Sequence, residues 1–130
     1  MTDFSSALSV SASGMRAQAQ RLNHVSENIA NADTPGYRRK VTAFVPDRGP
    51  DATAGTVQPG PVTLDRRELA QVYDPGHPMA DERGLYLGSN VDMVVELADA
   101  REAQRSYEAN LRVFDQIRQM SNSLNDLLRR

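Results

Sequence analysis

The sequence predicts a mainly α protein whose long N- and C-terminal helices pair as a coiled coil around a small irregular or β middle region. Two observations support this. All seven prolines and seven of the eight glycines lie within residues 34–90, and apolar residues at both ends recur at alternating steps of three and four. Because proline ends helices, we divide the chain into an N-terminal coiled-coil helix (1–33), a Pro/Gly-rich extended and β middle region (34–90) and a C-terminal coiled-coil helix (91–130).

The N-terminal helix is predicted to begin near Thr2 or Phe4 and to end at Asn31. Small residues alternate with bulky ones along its seam, so a neighbouring backbone can come close. This pattern favours tight packing against more than one helix, although one helix of an ordinary bundle would also fit it. The seam comprises Leu8, Ala12, Met15, Ala19, Leu22, Ser26 and Ile29.

The end of this helix is defined by a short run of turn residues. Asn31 is expected to adopt a left-handed C-cap conformation, Pro35 prevents continuation of the helix, and Gly36 supplies a turn. In the middle region, residues 37–45, 67–73 and 84–88 have the β-branched and aromatic content of short strands. Residues 46–61 contain few apolar side chains and are predicted to form a flexible loop.

The C-terminal helix is predicted to begin near Asn90 or Asp92, either of which can cap the first turn, with Glu96 favourably placed near the positive N-terminus. Charge pairs between Glu108 and Arg112 and between Asp115 and Arg118 suit a solvated outer face. The seam comprises Leu97, Ala100, Gln104, Tyr107, Leu111, Phe114 and Ile117, and it continues through Ser121, Leu124 and Leu128.

Composition and charge exclude several classes of protein. Only 39% of the 130 residues are hydrophobic and 5% aromatic, so we do not expect a large self-contained core. The net charge of −2 is spread evenly along the chain, which argues against binding to nucleic acid or anionic membranes. Cysteine is absent, so there are no disulfides or thiolate metal sites. We expect neither a cleaved secretory signal nor a membrane span.

No group of residues has the spacing of a catalytic, cofactor or metal site. His24 and His77 lack a second histidine at ligand spacing, so each is interpreted as solvated or locally hydrogen-bonded. Asp81 and Glu82 are adjacent carboxylates on a predicted polar loop. Adjacency on an exposed loop does not shift a carboxyl pKa enough for acid/base chemistry. The basic cluster Arg38 to Lys40 fits either an acidic strip on a neighbouring subunit or a solvated strand start.

The junction after the first helix carries a specific resemblance. NIANADTPGYRR (28–39) resembles the signature of the axial proteins of the bacterial flagellum, which include rod and hook proteins; its motif residues are Asn28, Ile29, Ala30, Asn31, Pro35, Gly36 and Tyr37. Residues 101–110, the SNVD segment (89–92) and the YDPGHP turn resemble a proximal-rod member. The turn residues are Tyr73, Asp74, Pro75, Gly76, His77 and Pro78.

The resemblance implies a non-enzymatic structural subunit without a cofactor or small-molecule ligand. Such a subunit is exported without a cleaved signal through the flagellar type III export apparatus, and it polymerises helically with copies of itself and other rod proteins. The polymer is the torque-transmitting rod of the basal body, which spans the periplasm around an export channel. The terminal helices would supply the assembly interface: Leu8, Ala12, Met15, Ala19, Leu22, Ile29, Leu97, Ala100, Tyr107, Leu111, Phe114 and Ile117.

Three other interpretations remain open from the sequence. The chain fits another flagellar rod protein, since the first motif is shared among them. A cytoplasmic helical secretion chaperone or adaptor would have similar amphipathic ends, but it should form a small closed dimer. A small hydrolytic enzyme would have to rely on His77 with Asp74 or Asp81.

Overall fold

A computed structural model describes residues 2–130, with side chains from residue 3 onward. It contains two long helices with short strands between them, as the sequence predicts. The elements are α1 (Thr2–Ala30), β1 (Lys40–Pro46), β2 (Val57–Leu64), β3 (Gln71–Tyr73), β4 (Leu85–Leu87) and α2 (Met93–Leu128). The division into helix, β middle and helix follows from the confinement of proline to residues 34–90.

The two helices lie side by side and run antiparallel. The C-terminal part of α1 contacts the start of α2, where Asn28 donates to Glu96 (3.3 Å). Further along the pair, a Cβ at Gly14 would lie 3.1 Å from the Asn110 side chain. Packing of the two terminal helices therefore agrees with the predicted architecture, and knobs-into-holes pairing as a coiled coil stays a prediction.

The middle region forms two separate two-stranded antiparallel sheets, β1 with β2 and β3 with β4. The prediction of a flexible loop over 46–61 is wrong for its C-terminal part, because β2 pairs with β1 from Val57 to Leu64. Pro59 and Pro61 are tolerated because β2 is an edge strand. The ladder is irregular between Thr42 and Phe44. A Cβ at Gly60 would come within 2.9 Å of the Ala43 carbonyl oxygen there, so this position requires glycine.

The helix boundaries agree closely with the sequence, with one correction. Asp92 is the N-cap of α2, and its carboxylate accepts from the Val94 amide at 2.9 Å. Asn31 does not adopt the predicted left-handed conformation, since the only positive φ angles among the described residues belong to glycines. Its amide instead continues the helical pattern to Glu27 O. The change of direction falls at Gly36, with φ of 75°.

Few apolar side chains are buried within this chain. In residues 3–130 the buried hydrophobic residues are Ala17, Val25 and Ala103. The buried polar residues are more numerous: Ser11, Ser13, Asn28, Thr56, Ser89 and Glu96. The contacts that hold the monomer together are therefore largely small and polar.

Candidate assembly interface

The buried stripe between the helices lies one residue away from the predicted seams. On α2 it passes through Glu96, Ala103 and Asn110, a seven-residue repeat one position before Leu97, Gln104 and Leu111. Small and polar side chains thus fill the intramolecular contact. The larger apolar side chains of the predicted seam lie beside it.

The structure leaves the predicted assembly residues at the margin of the helix pair. Leu97 is 51% exposed, Leu111 41% and Tyr107 37%. Ala19 is also exposed, and the remaining members are half-buried: Leu8, Ala12, Met15, Leu22, Ile29, Ala100, Phe114 and Ile117. None of these apolar side chains is fully buried by its own chain, so each has surface that a neighbouring subunit can cover. Their role in assembly stays a prediction.

Two shallow grooves lie along the helix pair. One, of about 260 Å³, brings Tyr107 of α2 together with α1 residues from the predicted seam: Ala12, Met15 and Ala19, with Arg16 beside them. The other lies at the far end of the pair. It joins Phe4 to Met120, Leu124 and Leu127, and Leu127 is 66% exposed. In each groove, apolar side chains of both helices line the same accessible surface.

At the opposite end of the helix pair, Asn28, the first residue of the junction motif, links the elements by hydrogen bonds. Its side-chain oxygen accepts from the Tyr37 hydroxyl (2.8 Å) and the Lys40 amide (2.9 Å). Its amino group donates to the Lys40 carbonyl (3.1 Å) and to Glu96. Asn28 is 1% exposed, so its hydrogen-bonding capacity is met inside the protein. This asparagine ties α1 to both β1 and α2.

Glu96 is fully buried, which sequence reasoning missed. The carboxylate is compensated by Arg39, whose Nε contacts Glu96 and whose Nη2 lies 2.5 Å from Asp99. Arg21 reaches the other Asp99 oxygen at 3.1 Å. An ion this deeply buried is tolerated only when it is paired and hydrogen-bonded. The available signal was the seven-residue spacing of Glu96, Ala103 and Asn110, which resembles a seam.

The basic cluster Arg38 to Lys40 fits neither alternative considered from the sequence. All three side chains bind within the chain. Arg38 donates to the carbonyls of Asp65 (3.2 Å) and Arg67 (3.0 Å), while Lys40 pairs with Glu27 at 2.5 Å. The cluster therefore anchors the junction to its surroundings and leaves little unpaired charge for a partner.

Ion pairing and burial shift several pKa values around this junction. The Lys40 hydrogen bond and charge lower the pKa of Glu27, and the same pair raises the pKa of Lys40. Arg67 lowers the pKa of Asp65 through a side-chain hydrogen bond. Burial raises the pKa of Tyr37. The shifts describe a folded junction with paired charges and a phenol held in its neutral form.

The rest of the junction motif forms hydrogen bonds to the segment before α2. The Gly36 amide donates to the carbonyls of Leu87 and Gly88. Asn90 accepts from the Arg39 amide at 2.7 Å, and the Ser89 hydroxyl donates to Ala32 O. The two motifs that flank the middle region are thereby brought into direct contact.

The YDPGHP turn is a locally stabilised exposed corner. Asp74 accepts from the Gly76 amide (3.1 Å), and the His77 ring stacks on Tyr86 with centroids 3.9 Å apart. His77 Nδ1 accepts from the Met79 amide (3.1 Å), which confirms the interpretation of a locally hydrogen-bonded histidine. Backbone hydrogen bonds lower the pKa of Asp81, so this carboxylate is stabilised as an anion.

His24 differs from its prediction. It was expected to be solvated or locally hydrogen-bonded, yet both ring nitrogens are buried and have no hydrogen-bond partner among the described residues.

Of the predicted charge pairs on the outer face of α2, Asp115 and Arg118 lie 3.9 Å apart. Within residues 2–130 no cluster of ionisable side chains is placed to hold a metal ion. Neither described helix has an apolar stretch long enough to cross a bilayer.

Comparison with known proteins identifies matching families at both ends of the chain. Residues 8–38 match the family "Flagella basal body rod protein", and residues 84–127 match "Flagellar basal body rod FlgEFG protein C-terminal". The flagellar basal-body rod protein FlgC of Agrobacterium fabrum is 42% identical over 99% of this chain and 98% of the relative. FlgC of Aquifex aeolicus is 39% identical (88% and 89%), and that of Escherichia coli O6:H1 is 36% identical (85% and 87%).

Proposed function

Because the chain belongs to the FlgC family of flagellar basal-body rod proteins, we propose that its terminal helices join it to neighbouring subunits of the rod. The chain is a structural subunit of the flagellar basal body and not an enzyme. Its partners are other rod and basal-body proteins.

One observation carries the proposal. The helix pair buries small and polar side chains against itself and leaves Leu97, Tyr107 and Leu111 exposed beside the buried stripe. Covering apolar surface is worth about 25 cal/mol per Å², so packing of neighbouring helices over these rows stabilises an assembly. None of the remaining predicted interface residues is fully buried by its own chain.

Repeated contacts of this kind would build a helical polymer. A surface on one subunit that binds a different surface on the next does not close into a dimer, and it therefore generates a filament. Many parallel helix contacts resist twisting and shear, which is what a drive shaft requires. In this proposal the shaft surrounds an export channel and spans the periplasm, and the junction and middle region brace adjacent subunits.

Delivery of the subunit is part of the proposal. The chain would leave the cytoplasm through the flagellar type III export apparatus, without a cleaved signal peptide. Its small apolar core suits this route, because a domain that buries few apolar side chains within its own chain unfolds readily. At the growing end of the rod, copies of the chain and other rod proteins would then cover the apolar side chains that the isolated chain leaves exposed.

The assembly surface is tested by Leu97→Asp, with Ala98→Asp as the matched control. Both positions are exposed on α2, so both variants should remain folded and soluble by circular dichroism. We expect only Leu97→Asp to be lost from purified basal bodies and to abolish swimming. Normal incorporation of Leu97→Asp would refute the role of this seam.

The alternatives are not favoured. The matched relatives are named FlgC, which supports this rod protein over its sister rod proteins, and a secretion chaperone or adaptor finds no support. Light scattering over a concentration series separates the remaining assembly states, because an adaptor forms a closed dimer of constant size.

A further inference from the structure

The two-stranded sheet of β3 and β4 stands apart from the rest of the fold. Within residues 2–130, neither strand packs against a further helix or strand. The sheet is attached to the junction through the Gly36 amide, which donates to the carbonyls of Leu87 (3.2 Å) and Gly88 (3.1 Å). A two-stranded sheet without such packing is marginally stable in water, so a covering surface from outside the chain would stabilise it.

One face of this sheet is apolar and accessible. The register pairs Tyr73 with Leu85 and Gln71 with Leu87, so these side chains lie on the same face. Tyr73 is 71% exposed and Leu87 54%. Met79, which follows the YDPGHP turn, borders a shallow depression together with Leu85 and Leu87. We call this surface the Tyr73 face, and its apolar members are Tyr73, Met79, Leu85 and Leu87.

A second apolar surface lies at the other end of the molecule. The far-end groove has a volume of about 570 Å³; its apolar lining consists of Phe4, Met120, Leu124 and Leu127, and its polar lining is uncharged. Because an α-helix rises about 1.5 Å per residue, the length of α1 from Phe4 to Asn28 places this groove about 35 Å from the junction that holds the sheet. A single copy of the chain therefore cannot bring its Tyr73 face to its own groove.

The border of the Tyr73 face is acidic. Asp74, Asp81 and Glu82 are all exposed there. Within residues 71–87 the opposing charge is Arg83, which lies 3.6 Å from Asp81. The corner that surrounds the Tyr73 face is therefore net negative.

The border of the far-end groove is basic. Arg112 lies one helical turn before the groove residues of α2, and Arg129 and Arg130 follow them. Asp3 and Asp126 supply two opposing charges. The three arginines outnumber these two carboxylates, so the rim of the groove is net positive.

These charges favour one pairing of the two surfaces over the others. Contact between two Tyr73 faces would bring two acidic corners together, and contact between two far-end grooves would bring two arginine-rich rims together. Like charges placed face to face oppose association, whereas opposite charges speed it and fix its orientation. The Tyr73 face of one copy therefore matches the far-end groove of another copy in both apolar character and charge.

We propose that the Tyr73 face of one subunit docks on the far-end groove of a second copy of the chain. The inference rests on the proposed function, because it names a further contact between subunits of the rod. The two surfaces lie at opposite ends of the molecule, so the contact is head to tail and repeats without closing on itself. It adds an end-to-end contact to the side-by-side packing of the terminal helices.

Photo-cross-linking tests this contact and separates it from the helix seam. Tyr73 is replaced by p-benzoylphenylalanine, which keeps an aromatic ring, in one strain and Leu97 in another. Assembled basal bodies are irradiated, digested with trypsin and analysed by mass spectrometry. We expect position 73 to be joined to residues 119–129, the tryptic peptide that carries most of the groove. The distance along α1 means that such a product joins two copies.

Each other result has a defined meaning. A product that joins position 73 to another rod protein, or to another part of this chain, would overturn the inference. Cross-links from position 97 without the expected product from position 73 would also overturn it and leave the assembly surface of the helices intact. The expected product from position 73 without any cross-link from position 97 would support the inference and contradict the seam. Failure at both positions overturns both proposals.

Matched leucine substitutions test the same contact by its strength. Leu87→Ser and Leu127→Ser each remove one apolar side chain from one of the two surfaces. Leu64→Ser is the control, because Leu64 is as exposed as Leu87 (54%) and lies on β2, outside both surfaces. Unfolding of the isolated chain in urea should be nearly unchanged in all three variants.

In basal bodies washed with urea, retention of Leu87→Ser and of Leu127→Ser should fall by about 10-fold or more, the effect of leaving one leucine side chain unburied. Retention of Leu64→Ser should stay at the parent level. The double variant should fall no further than the more affected single variant, because both substitutions break one shared contact. Losses that multiply in the double variant, or an equal loss for Leu64→Ser, would overturn the inference.

Discussion

The two ends of the helix pair carry side chains of different chemistry. At the junction, the buried side chains of Asn28 and Glu96 are polar and bind specific partners. At the far end, Phe4, Met120 and Leu127 border an open groove. The junction fixes the chain's own conformation through directional bonds, whereas the far end offers non-directional apolar surface. The contrast suggests that the fold is specified at one end and the assembly is stabilised at the other.

The sharpest test of this contrast is Arg39→Met. It removes the positively charged partner of the fully buried Glu96, and breaking a buried ion pair from one side costs about 3–5 kcal/mol. We expect a loss of that size in urea unfolding, a large part of the stability of a small domain.

Two controls accompany this variant. Leu127→Ser at the exposed far end should change unfolding by less than about 0.5 kcal/mol. The double variant Arg39→Met with Glu96→Leu should recover much of the loss, because no unpaired charge remains. If Leu127→Ser costs the monomer as much as Arg39→Met, the two ends do not differ in the way described.

The two asparagines of the junction motif give a smaller and more closely matched comparison. Asn28 is buried and makes four hydrogen bonds, whereas Asn31 is half-buried and makes two, to Glu27 O and Thr34. Replacing Asn28 by alanine leaves buried groups of Lys40 and Glu96 unpaired, at about 1–3 kcal/mol for such losses.

We expect Asn31→Ala to cost less than about 1 kcal/mol, since water can replace its bonds. Denaturant unfolding of both variants measures the difference. Amide hydrogen exchange at Lys40 adds a local test, because its amide donates to Asn28. Equal losses from the two substitutions would contradict the assignment of Asn28 as the centre of the junction.

The sequence predicted the larger features of the fold because they depend on local rules. Proline distribution placed the three regions, and Asp92 caps α2 as expected. The β2 strand was missed because its pairing with β1 is non-local and its prolines argue against a strand. A period-seven pattern located both helical faces, but it could not distinguish Leu97 from Glu96 one residue earlier. The intramolecular contact uses Glu96, and only tertiary pairing with Arg39 makes that choice favourable.

The smallest expected effect is the pH response of the junction. Glu27 and Asp65 have pKa values lowered by Lys40 and Arg67, so their contributions are present above the ordinary carboxyl pKa values and are lost as pH falls through the folded values. Tyr37 has a pKa raised by burial. Its contribution is present below the ordinary value of 10.0 and is lost as pH rises through the folded value.

Stability should therefore be nearly constant from about pH 5 to pH 9 and decline on both sides. Tyr37 offers the cleaner observation, because its hydroxyl donates to Asn28 and a phenolate cannot donate. NMR of the Tyr37 ring carbons should show this side chain ionising at a pH above the ordinary tyrosine value of 10.0. Ionisation of Tyr37 at the ordinary tyrosine value would show that the junction is open to solvent. The junction and the far end of the helix pair would then differ only in which side chains they contain.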